Sequence, residues 1–148
     1  MDTDFNHQPR YIPYLLKMLE ECDCASASRF IKGGAMDSRA RGFLSGCFNV
    51  FVRIITGGRL TDYLYGYLAV KRDKLDILDM DSIFYGFGDY CIRLLLLMEK
   101  KELTVREIPA VNGRRRSGSS THFLPGTLLL YVKETLKMAK WRKFNNRV

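Results

Sequence analysis

Residues 86–111, GFGDYCIRLLLLMEKKELTVREIPAV, contain the pattern that decides the fold class. A glycine-rich turn at residues 86–88 leads into a leucine-rich segment that predicts a helix over residues 89–100. Residues 103–111 then have the composition of a strand. A helix followed within a few residues by a strand is the repeating pattern of α/β domains.

The same alternation continues on both sides of this stretch. Pro9 opens a helical pattern, and Gly33-Gly34 separates a strand from the long helix that follows it. The predicted elements are a strand over residues 24–30, a helix over 39–56, a strand over 65–70, a short helix and turn over 71–81, and a final helix over 126–144. The sequence therefore predicts an α/β fold.

Two of these helices carry apolar stripes, which predict the faces that they bury. In the helix over residues 39–56 the stripe consists of Phe43, Leu44, Cys47, Phe48, Phe51, Ile54 and Ile55. In the final helix Leu129, Val132, Leu136 and Ala139 share one face, and Lys133, Lys137, Lys140 and Arg142 lie around the other. We expect the apolar faces to pack against the core.

The charge of the chain is unevenly distributed. Its 148 residues include 24 Lys plus Arg and 16 Asp plus Glu, which gives a net charge of +8. Of these residues 47% are hydrophobic, and this content excludes disordered and collagen-like proteins. Residues 1–111 carry fifteen basic and fifteen acidic side chains, so the whole excess lies in residues 112–148. A neutral body with a basic C-terminal part predicts a local anionic partner, such as phosphate groups or a membrane surface.

Cysteine usage and hydropathy predict a cytoplasmic protein. The four cysteines are irregularly spaced, and the N-terminus lacks the apolar segment of a signal peptide, so free thiols are expected. Cys22 and Cys24 have no second pair or histidine at zinc-ligand spacing. No apolar run approaches the ~18–20 residues of a spanning helix, so any membrane contact would be peripheral, on the cytoplasmic face.

Three groups of residues have side chains suited to chemistry. Asp2 and Asp4 form a D-x-D pair that suits Mg²⁺ or Mn²⁺, although an acidic residue here also suits the cap of the helix at Pro9. Arginines 114–116 lie in a predicted Gly/Ser loop. Such a segment is typical either of a site that binds phosphate oxygens or of a solvated surface. Asp89, at a helix start, suits either a cap or a general base.

The order of these features resembles one enzyme family. Residues 1–13, MDTDFNHQPRYIP, resemble the metal-binding segment of family 2 glycosyltransferases, particularly the polyprenyl-phosphate (dolichol-phosphate) mannose synthase branch. The resemblance continues in register to about residue 121. The further matching positions are Ala27 to Phe30 with Lys32 to Gly34; Arg41, Ser45 and Asn49; Thr61 and Asp62 with Gly66, Tyr67, Lys71 and Arg72; Gly86 to Asp89; Glu107 to Pro109; and Arg115, Gly118 and Ser120.

This resemblance implies a fold, a domain division and a truncation. Residues 1–123 would be the C-terminal part of a GT-A, Rossmann-like catalytic domain, and residues 124–148 a basic amphipathic helix that lies on a membrane. In the family, the elements that bind the nucleotide base precede the D-x-D segment. The chain is therefore expected to be truncated at its N-terminus and to need a separate N-terminal half or an oligomer partner.

The resemblance also implies an inverting, metal-assisted transfer from a nucleotide-diphosphate sugar to a polyprenyl-phosphate acceptor. The divalent metal would be held by Asp2, Asp4 and Asn6. The donor or acceptor phosphates would be bound by Arg29, Arg41, Arg115 and Ser120. Asp89 would be the catalytic base for a hydroxyl acceptor. An acceptor that is an anionic lipid phosphate would not need a base.

Three alternatives stay open at this stage. Thr121 stands where the family usually has Lys, and the Gly88-Asp89-Tyr90 form also fits relatives that build polysaccharides, so a saccharide acceptor is an alternative. The chain is also compatible with an inactive remnant of such an enzyme. A small basic RNA-binding module is the third alternative, but no aromatic and basic recognition motif is present, and we expect no nucleic-acid partner.

Overall fold

A computed structural model describes residues 6–86, 89–112 and 125–144. Helices and strands alternate along the described chain, which confirms the predicted mixed α/β class. In order, the elements are a 3-10 turn (Pro9–Tyr11), α1 (Ile12–Met18), β1 (Cys24–Ser28), α2 (Arg39–Thr56), β2 (Leu68–Val70), α3 (Arg72–Leu75), α4 (Met80–Ile83), α5 (Tyr90–Lys100), β3 (Val105–Pro109) and α6 (Pro125–Phe144).

The three strands form one sheet with β1 in the middle. The order is β2-β1-β3, and β1 pairs antiparallel with β2 and parallel with β3. All of β1, whose sequence is CASAS, is buried, and such small side chains let elements on both faces approach its backbone. Ala25 and Ala27 belong to the core under α1, whereas Cys24 belongs to the larger core that α2, α5 and α6 form on the other face.

The strands are shorter than predicted because side chains replace strand partners at their ends. β1 ends at Ser28, since the next amide, that of Arg29, donates its N–H to the carboxylate of Asp62 at 3.2 Å. β3 ends at Pro109. The chain continues to Val111, which forms an isolated parallel bridge with Ala35. The carboxyl ends of β1 and β3 are therefore joined beyond the regular sheet.

Helix α5 is the centre of the larger core. It spans Tyr90–Lys100, close to the prediction, and residues 91–99 are all buried. A helix that is buried on every side packs against several elements, and α5 contacts β3, α4 and α6. Asp89 precedes its first turn, but the Asp89 side chain makes no capping hydrogen bond, so the interpretation of this carboxylate as a simple cap is wrong.

Helix α2 has the predicted bounds, and Gly57 ends it in the left-handed region with φ of 69°. The predicted buried stripe is largely wrong, however. Phe43 and Ile54 are 72% and 75% exposed, and Leu44 and Cys47 are exposed as well. Only Phe48 and Phe51 from that stripe pack on the core. The fully buried positions are Asn49, Val52 and Thr56.

Polar residues face inwards on α2 because they have partners there. The Asn49 amide donates to Asp62 at 3.3 Å, and its oxygen accepts the Tyr63 amide at 2.8 Å. Thr56 donates to the carbonyl of Val52 and accepts the Gly58 amide. These bonds attach residues 57–67 to the helix, and they explain why the apolar stripe does not occupy the inner face.

The predicted face of α6 is also largely wrong. Leu129 and Leu136 are 70% and 44% exposed, although Ala139 is buried as expected. The inward positions are Thr127, Tyr131, Thr135, Met138 and Ala139. Tyr131 and Met138 belong to the larger core, so α6 is packed into it. Within the described residues, no helix is both long and apolar enough to cross a bilayer.

The assignment of inward and outward leucines is tested by a matched pair of substitutions. Leu95→Ala removes a fully buried side chain of α5 and should lower the free energy of unfolding by about 2–5 kcal/mol. Leu129→Ala alters an exposed position and should change the free energy of unfolding by less than about 0.5 kcal/mol. Urea unfolding followed by circular dichroism measures both, and equal losses would contradict the orientation of α6.

Candidate active site

The candidate site lies at the carboxyl ends of β1 and β3. Because these strands are parallel, the residues that follow them emerge at the same edge of the sheet, where α/β proteins bind ligands. Arg29 follows β1, and Val111 leads from β3 into residues 113–124, which lie outside the described chain. Between them, Gly33-Gly34 makes a close turn. A Cβ at Gly34 would lie 2.6 Å from the Ser28 carbonyl oxygen, so only glycine fits there.

Arg29 is held by a buried ion pair. Its Nε donates to Asp62 Oδ2 at 2.7 Å and its Nη2 to Oδ1 at 2.9 Å. The Arg29 side chain is 8% exposed and that of Asp62 is 0% exposed. Asp62 Oδ1 also accepts the amide of Leu64 at 3.1 Å. Asp62 therefore engages two of the three guanidinium nitrogens of Arg29, Nε and Nη2.

A second carboxylate holds the loop that carries Asp62. Glu107 of β3 accepts the Thr61 amide at 2.9 Å and the Asp62 amide at 3.1 Å. It also accepts the Thr61 hydroxyl at 2.9 Å, and that hydroxyl is 2.6 Å from the Ser28 hydroxyl. Charge-assisted bonds of this kind are the strong ones, so the loop is tied to both β1 and β3.

Two tyrosines clamp the segment that follows the D-x-D pair. Tyr65 donates its hydroxyl to the Asn6 carbonyl at 3.0 Å, and Tyr67 donates to the Gln8 carbonyl at 2.7 Å. His7 stacks on Tyr67 with 4.7 Å between ring centroids and meets Tyr65 edge-on at 4.7 Å. Burial raises the pKa of the Tyr65 phenol, so its hydroxyl stays protonated and continues to donate.

This clamp brings the N-terminal segment beside Arg29. The Arg29 guanidinium lies over the ring of Tyr65, 4.7 Å from its centroid. Gln8 donates its side-chain amide to the Val111 carbonyl at 3.1 Å, and Tyr11 accepts the Val111 amide at 2.9 Å. Asn6, Arg29 and Val111, which precedes the undescribed residues 113–124, therefore meet at one edge of the sheet.

Asp89 lies toward the same edge. α5 packs on β3 and connects to it through residues 101–104, so it runs back along the strand and begins near the strand's carboxyl end. Gly66, between the two clamping tyrosines, lies against the Tyr90 hydroxyl so closely that a Cβ there would clash with it. Asp89 is thus near the loop that contains the clamp.

Asp89 is buried and paired with Arg93, one helical turn away. Its Oδ2 is 2.7 Å from Nη1 of Arg93, whose side chain is 1% exposed. Burial alone would lower the pKa of Arg93, but the hydrogen bond and charge of Asp89 outweigh burial and raise it, so Arg93 stays cationic. Arg93 also contacts Glu134 of α6 at 3.3 Å. The Oδ1 atom of Asp89 is buried without a hydrogen-bond partner in the described residues.

The remaining predicted site residues are less closely placed. Arg41 is in the first turn of α2, 3.5 Å from Asp37, and its Nε is buried without a partner in the described chain. Asp2, Asp4, Arg115 and Ser120 lie outside the described residues. Among the described residues no group of three or more histidine, cysteine, aspartate or glutamate side chains is arranged to hold a metal ion.

Sequence reasoning missed several contacts that shape this site. The pairing of Asp89 with Arg93 has the i, i+4 spacing of a helical ion pair, which is a readable signal. The Tyr65 and Tyr67 clamp has no such signal, because its partners are 59 residues away in the sequence. Asp62 was noted only as part of a motif, and its ion pair with Arg29 becomes visible only in the fold.

Comparison with known proteins identifies relatives along the whole chain. An undecaprenyl-phosphate mannosyltransferase from Micrococcus luteus is 33% identical over 156 aligned residues, which cover 100% of this chain and 63% of the relative. The chain is similar to polyprenyl-phosphate mannosyltransferases. A polyprenol monophosphomannose synthase from Mycolicibacterium smegmatis is 28% identical over 147 residues, covering 95% of this chain and 53% of the relative. No protein-family model matches.

These relatives support the resemblance to the polyprenyl-phosphate mannose synthase branch. The alignment with the Micrococcus luteus enzyme extends beyond residue 121, to the whole of this chain. The chain spans between half and two thirds of the length of these two relatives, 53% and 63%. What the relatives do as whole proteins is therefore attributed to this chain only as a proposal.

The buried pair of Arg29 and Asp62 is tested against an exposed pair of the same type. Asp62→Ala leaves a buried guanidinium unpaired and should destabilise the protein by about 3–5 kcal/mol. Asp76→Ala breaks the pair between Asp76 and Arg72, which are 66% and 92% exposed, respectively. This change should lower the free energy of unfolding by less than about 0.5 kcal/mol. Urea unfolding compares the two, and a small effect of Asp62→Ala would show that the pair does not hold the loop.

Proposed function

We propose that the chain belongs to glycosyltransferase family 2 and transfers a hexose, mannose by analogy with these relatives, from a nucleotide-diphosphate sugar to a polyprenyl phosphate. The observation that carries this proposal is the similarity to polyprenyl-phosphate mannosyltransferases along the whole chain. The meeting of Asn6, Arg29 and Val111 at one sheet edge supports the proposal of a diphosphate site there. A saccharide acceptor stays the alternative.

The proposed metal site consists of Asp2, Asp4 and Asn6. Two carboxylates and an amide oxygen suit the preference of Mg²⁺ or Mn²⁺ for oxygen ligands. The divalent ion would supply charge stabilisation to the leaving nucleoside diphosphate. Of these three, Asn6 is described: it is buried, and the tyrosine clamp fixes its carbonyl to the sheet edge.

The cationic side chains would bind the phosphates. Arg29 would bind a phosphate through Nη1, while Asp62 fixes its guanidinium through Nε and Nη2. Arg41, Arg115 and Ser120 are the further proposed phosphate ligands. Groups held before the ligand arrives stabilise the negative charge that develops on the leaving diphosphate without reorganising. The family resemblance implies an inverting transfer, in which the acceptor oxygen would attack the anomeric carbon from the face opposite the leaving group.

Asp89 has different roles for the two acceptor classes. A polyprenyl phosphate is already an anion, so Asp89 would only position groups through Arg93. A hydroxyl acceptor must lose a proton, and Oδ1 of Asp89 would receive it, since Oδ2 is paired with Arg93.

The free cysteines fit a reducing compartment, and we place the enzyme on the cytoplasmic face of the membrane.

The metal and donor assignment is tested by an acceptor-extraction assay. The full chain is incubated with radiolabelled GDP-mannose or UDP-mannose, Mn²⁺ and undecaprenyl phosphate, and label in the organic phase is counted. Asp4→Ala should lower the rate by about a hundredfold or more, because charge on the leaving group is no longer stabilised. Asp73→Ala changes an exposed carboxylate and should leave the rate unchanged.

Calorimetry separates this proposal from the inactive-remnant alternative. Binding of a nucleotide sugar with Mn²⁺ that disappears in Asp4→Ala would support a working donor site. No measurable binding would favour a remnant or a chain that needs a separate N-terminal half. Salt-sensitive binding to RNA that survives the loss of both Asp2 and Asp4 would instead favour the nucleic-acid module.

The acceptor class is tested with Asp89→Asn. If the acceptor is a polyprenyl phosphate, the variant should keep its rate within about tenfold, because no proton is removed. If the acceptor is a sugar hydroxyl, the rate should fall by about 10²–10⁴-fold, because the group that accepts the proton is lost. Circular dichroism of the variant controls for the loss of the pair with Arg93.

A further inference from the structure

Glu134 is the acidic residue of a strongly basic part of the chain. Residues 112–148 contain nine lysines and arginines and no other aspartate or glutamate. On a solvated helix such a carboxylate would pair with a lysine one turn away. The Glu134 side chain is instead only 13% exposed, and its Oε2 accepts the Tyr85 hydroxyl at 2.8 Å and lies 3.3 Å from Nη1 of Arg93. The charge of Glu134 is therefore directed at α5 and the residues that precede it.

Arg93, the partner of Glu134, is held at every nitrogen of its guanidinium. Nε donates to the Ile83 carbonyl at 2.7 Å, and Nη2 donates to the Tyr85 carbonyl. Nη1 lies 2.7 Å from Oδ2 of Asp89 and 3.3 Å from Oε2 of Glu134. Because the Arg93 side chain is 1% exposed, solvent replaces a lost partner poorly, so each contact contributes to the orientation of the guanidinium.

Nη1 of Arg93 is the atom that the two carboxylates share. It carries two N–H groups, one for Asp89 and one for Glu134. Withdrawing Glu134 would leave one of these groups unpaired in a buried site, which is costly, so the guanidinium would turn or Asp89 would move. Oδ1 of Asp89 has no hydrogen-bond partner within the described residues. The orientation of the Asp89 carboxylate therefore depends on Arg93, and through Arg93 on Glu134.

A second ion pair fixes the helix that carries Glu134. Nη1 of Arg142, further along α6, lies 3.3 Å from Oε2 of Glu99, whose side chain is 4% exposed. Glu99 of α5 also accepts the Arg59 amide at 2.8 Å and the Tyr63 hydroxyl at 3.0 Å. α6 is thus attached both near the start of α5 and near its end. Through Glu99 it is also attached to the loop that contains the tyrosine clamp.

We propose that Glu134 is a positioning residue of the candidate active site, and that it fixes the Asp89 carboxylate through Arg93. The inference rests on the proposed function, in which Asp89 takes part. It extends the site to a residue for which the motif resemblance, ending near residue 121, implies no role, and it makes α6 a part of the site. A carboxylate that is held before the acceptor arrives needs no reorganisation during transfer.

The positioning is tested by NMR of the full chain labelled with ¹⁵N-arginine, which needs no substrate. The side-chain protons of a guanidinium held on all sides exchange slowly with solvent. Glu134→Gln keeps the shape of the side chain but removes its charge, so the Nη protons of Arg93 should exchange about tenfold faster, because charge-assisted bonds are the strong ones. Tyr85→Phe removes the hydrogen bond that Tyr85 donates to Glu134. It should raise the exchange rate in the same direction, and it is the test variant if Glu134→Gln does not fold.

Arg29 is the control within the same spectrum, because it is likewise a buried arginine that is paired with an aspartate, Asp62. The exchange rate of its side-chain protons should stay unchanged in Glu134→Gln. Lys133→Gln removes an exposed charge next to Glu134 and should leave the exchange rates of both arginines unchanged. Unchanged exchange of Arg93 in the folded Glu134→Gln variant, or equal acceleration of Arg29, would overturn the proposal.

The consequence for transfer is tested with a double-mutant cycle in the acceptor-extraction assay. Residues that act through one another give non-additive losses, so Glu134→Gln combined with Asp89→Asn should transfer as fast as Asp89→Asn alone, within about twofold. The donor KM should stay unchanged, because the altered contacts are not made to the donor. Additive losses in kcat would give Glu134 a role apart from Asp89 and contradict the inference. Absence of transfer by the unmodified chain would contradict the proposed function, and the exchange rates of Arg93 would still decide the role of Glu134.

Discussion

The buried ion pair between Arg29 and Asp62 is the constraint on which the rest of the structure depends. A fully buried carboxylate is tolerated only if its charge and its lone pairs are satisfied, and Asp62 achieves this with Arg29, Asn49 and the Leu64 amide. Meeting that requirement ends β1, turns the polar side of α2 inwards and folds residues 57–67 over the sheet. The geometry of the site follows from how one negative charge is buried.

The tyrosine clamp shows how this constraint reaches the candidate chemistry. With the loop fixed, Tyr65 and Tyr67 hold residues 6–8, of which Asn6 is itself one of the proposed metal ligands. Arg29 is therefore both a structural and a proposed binding residue. A side chain with two roles of this kind is pre-oriented for a ligand, because part of its side-chain entropy has already been lost in folding.

The sequence predicted the elements better than their orientation. Glycines at turns and the leucine run gave the bounds of α2 and α5 within a residue, since these signals are local. Periodicity shows that a helix has an apolar side, but it does not show that this side faces the core. Phe43 and Ile54 face outwards because the inner positions of α2 are occupied by polar residues, such as Asn49, whose partners Asp62 and Tyr63 lie in the following loop. The tyrosine clamp escaped prediction because its partners are 59 positions away in the sequence.

The parallel pairing of β1 with β3 has a consequence for how the chain folds. Cys24 pairs with Val105, and the Asp23 carboxylate accepts the Thr104 amide across 81 positions of sequence. Closing so large a loop is entropically costly, and contacts of high sequence separation slow folding. β1, made of alanine, serine and cysteine, buries little apolar surface before β3 arrives. The central sheet can therefore be completed only after synthesis has passed Pro109, so late contacts, rather than early local structure, should limit the folding rate.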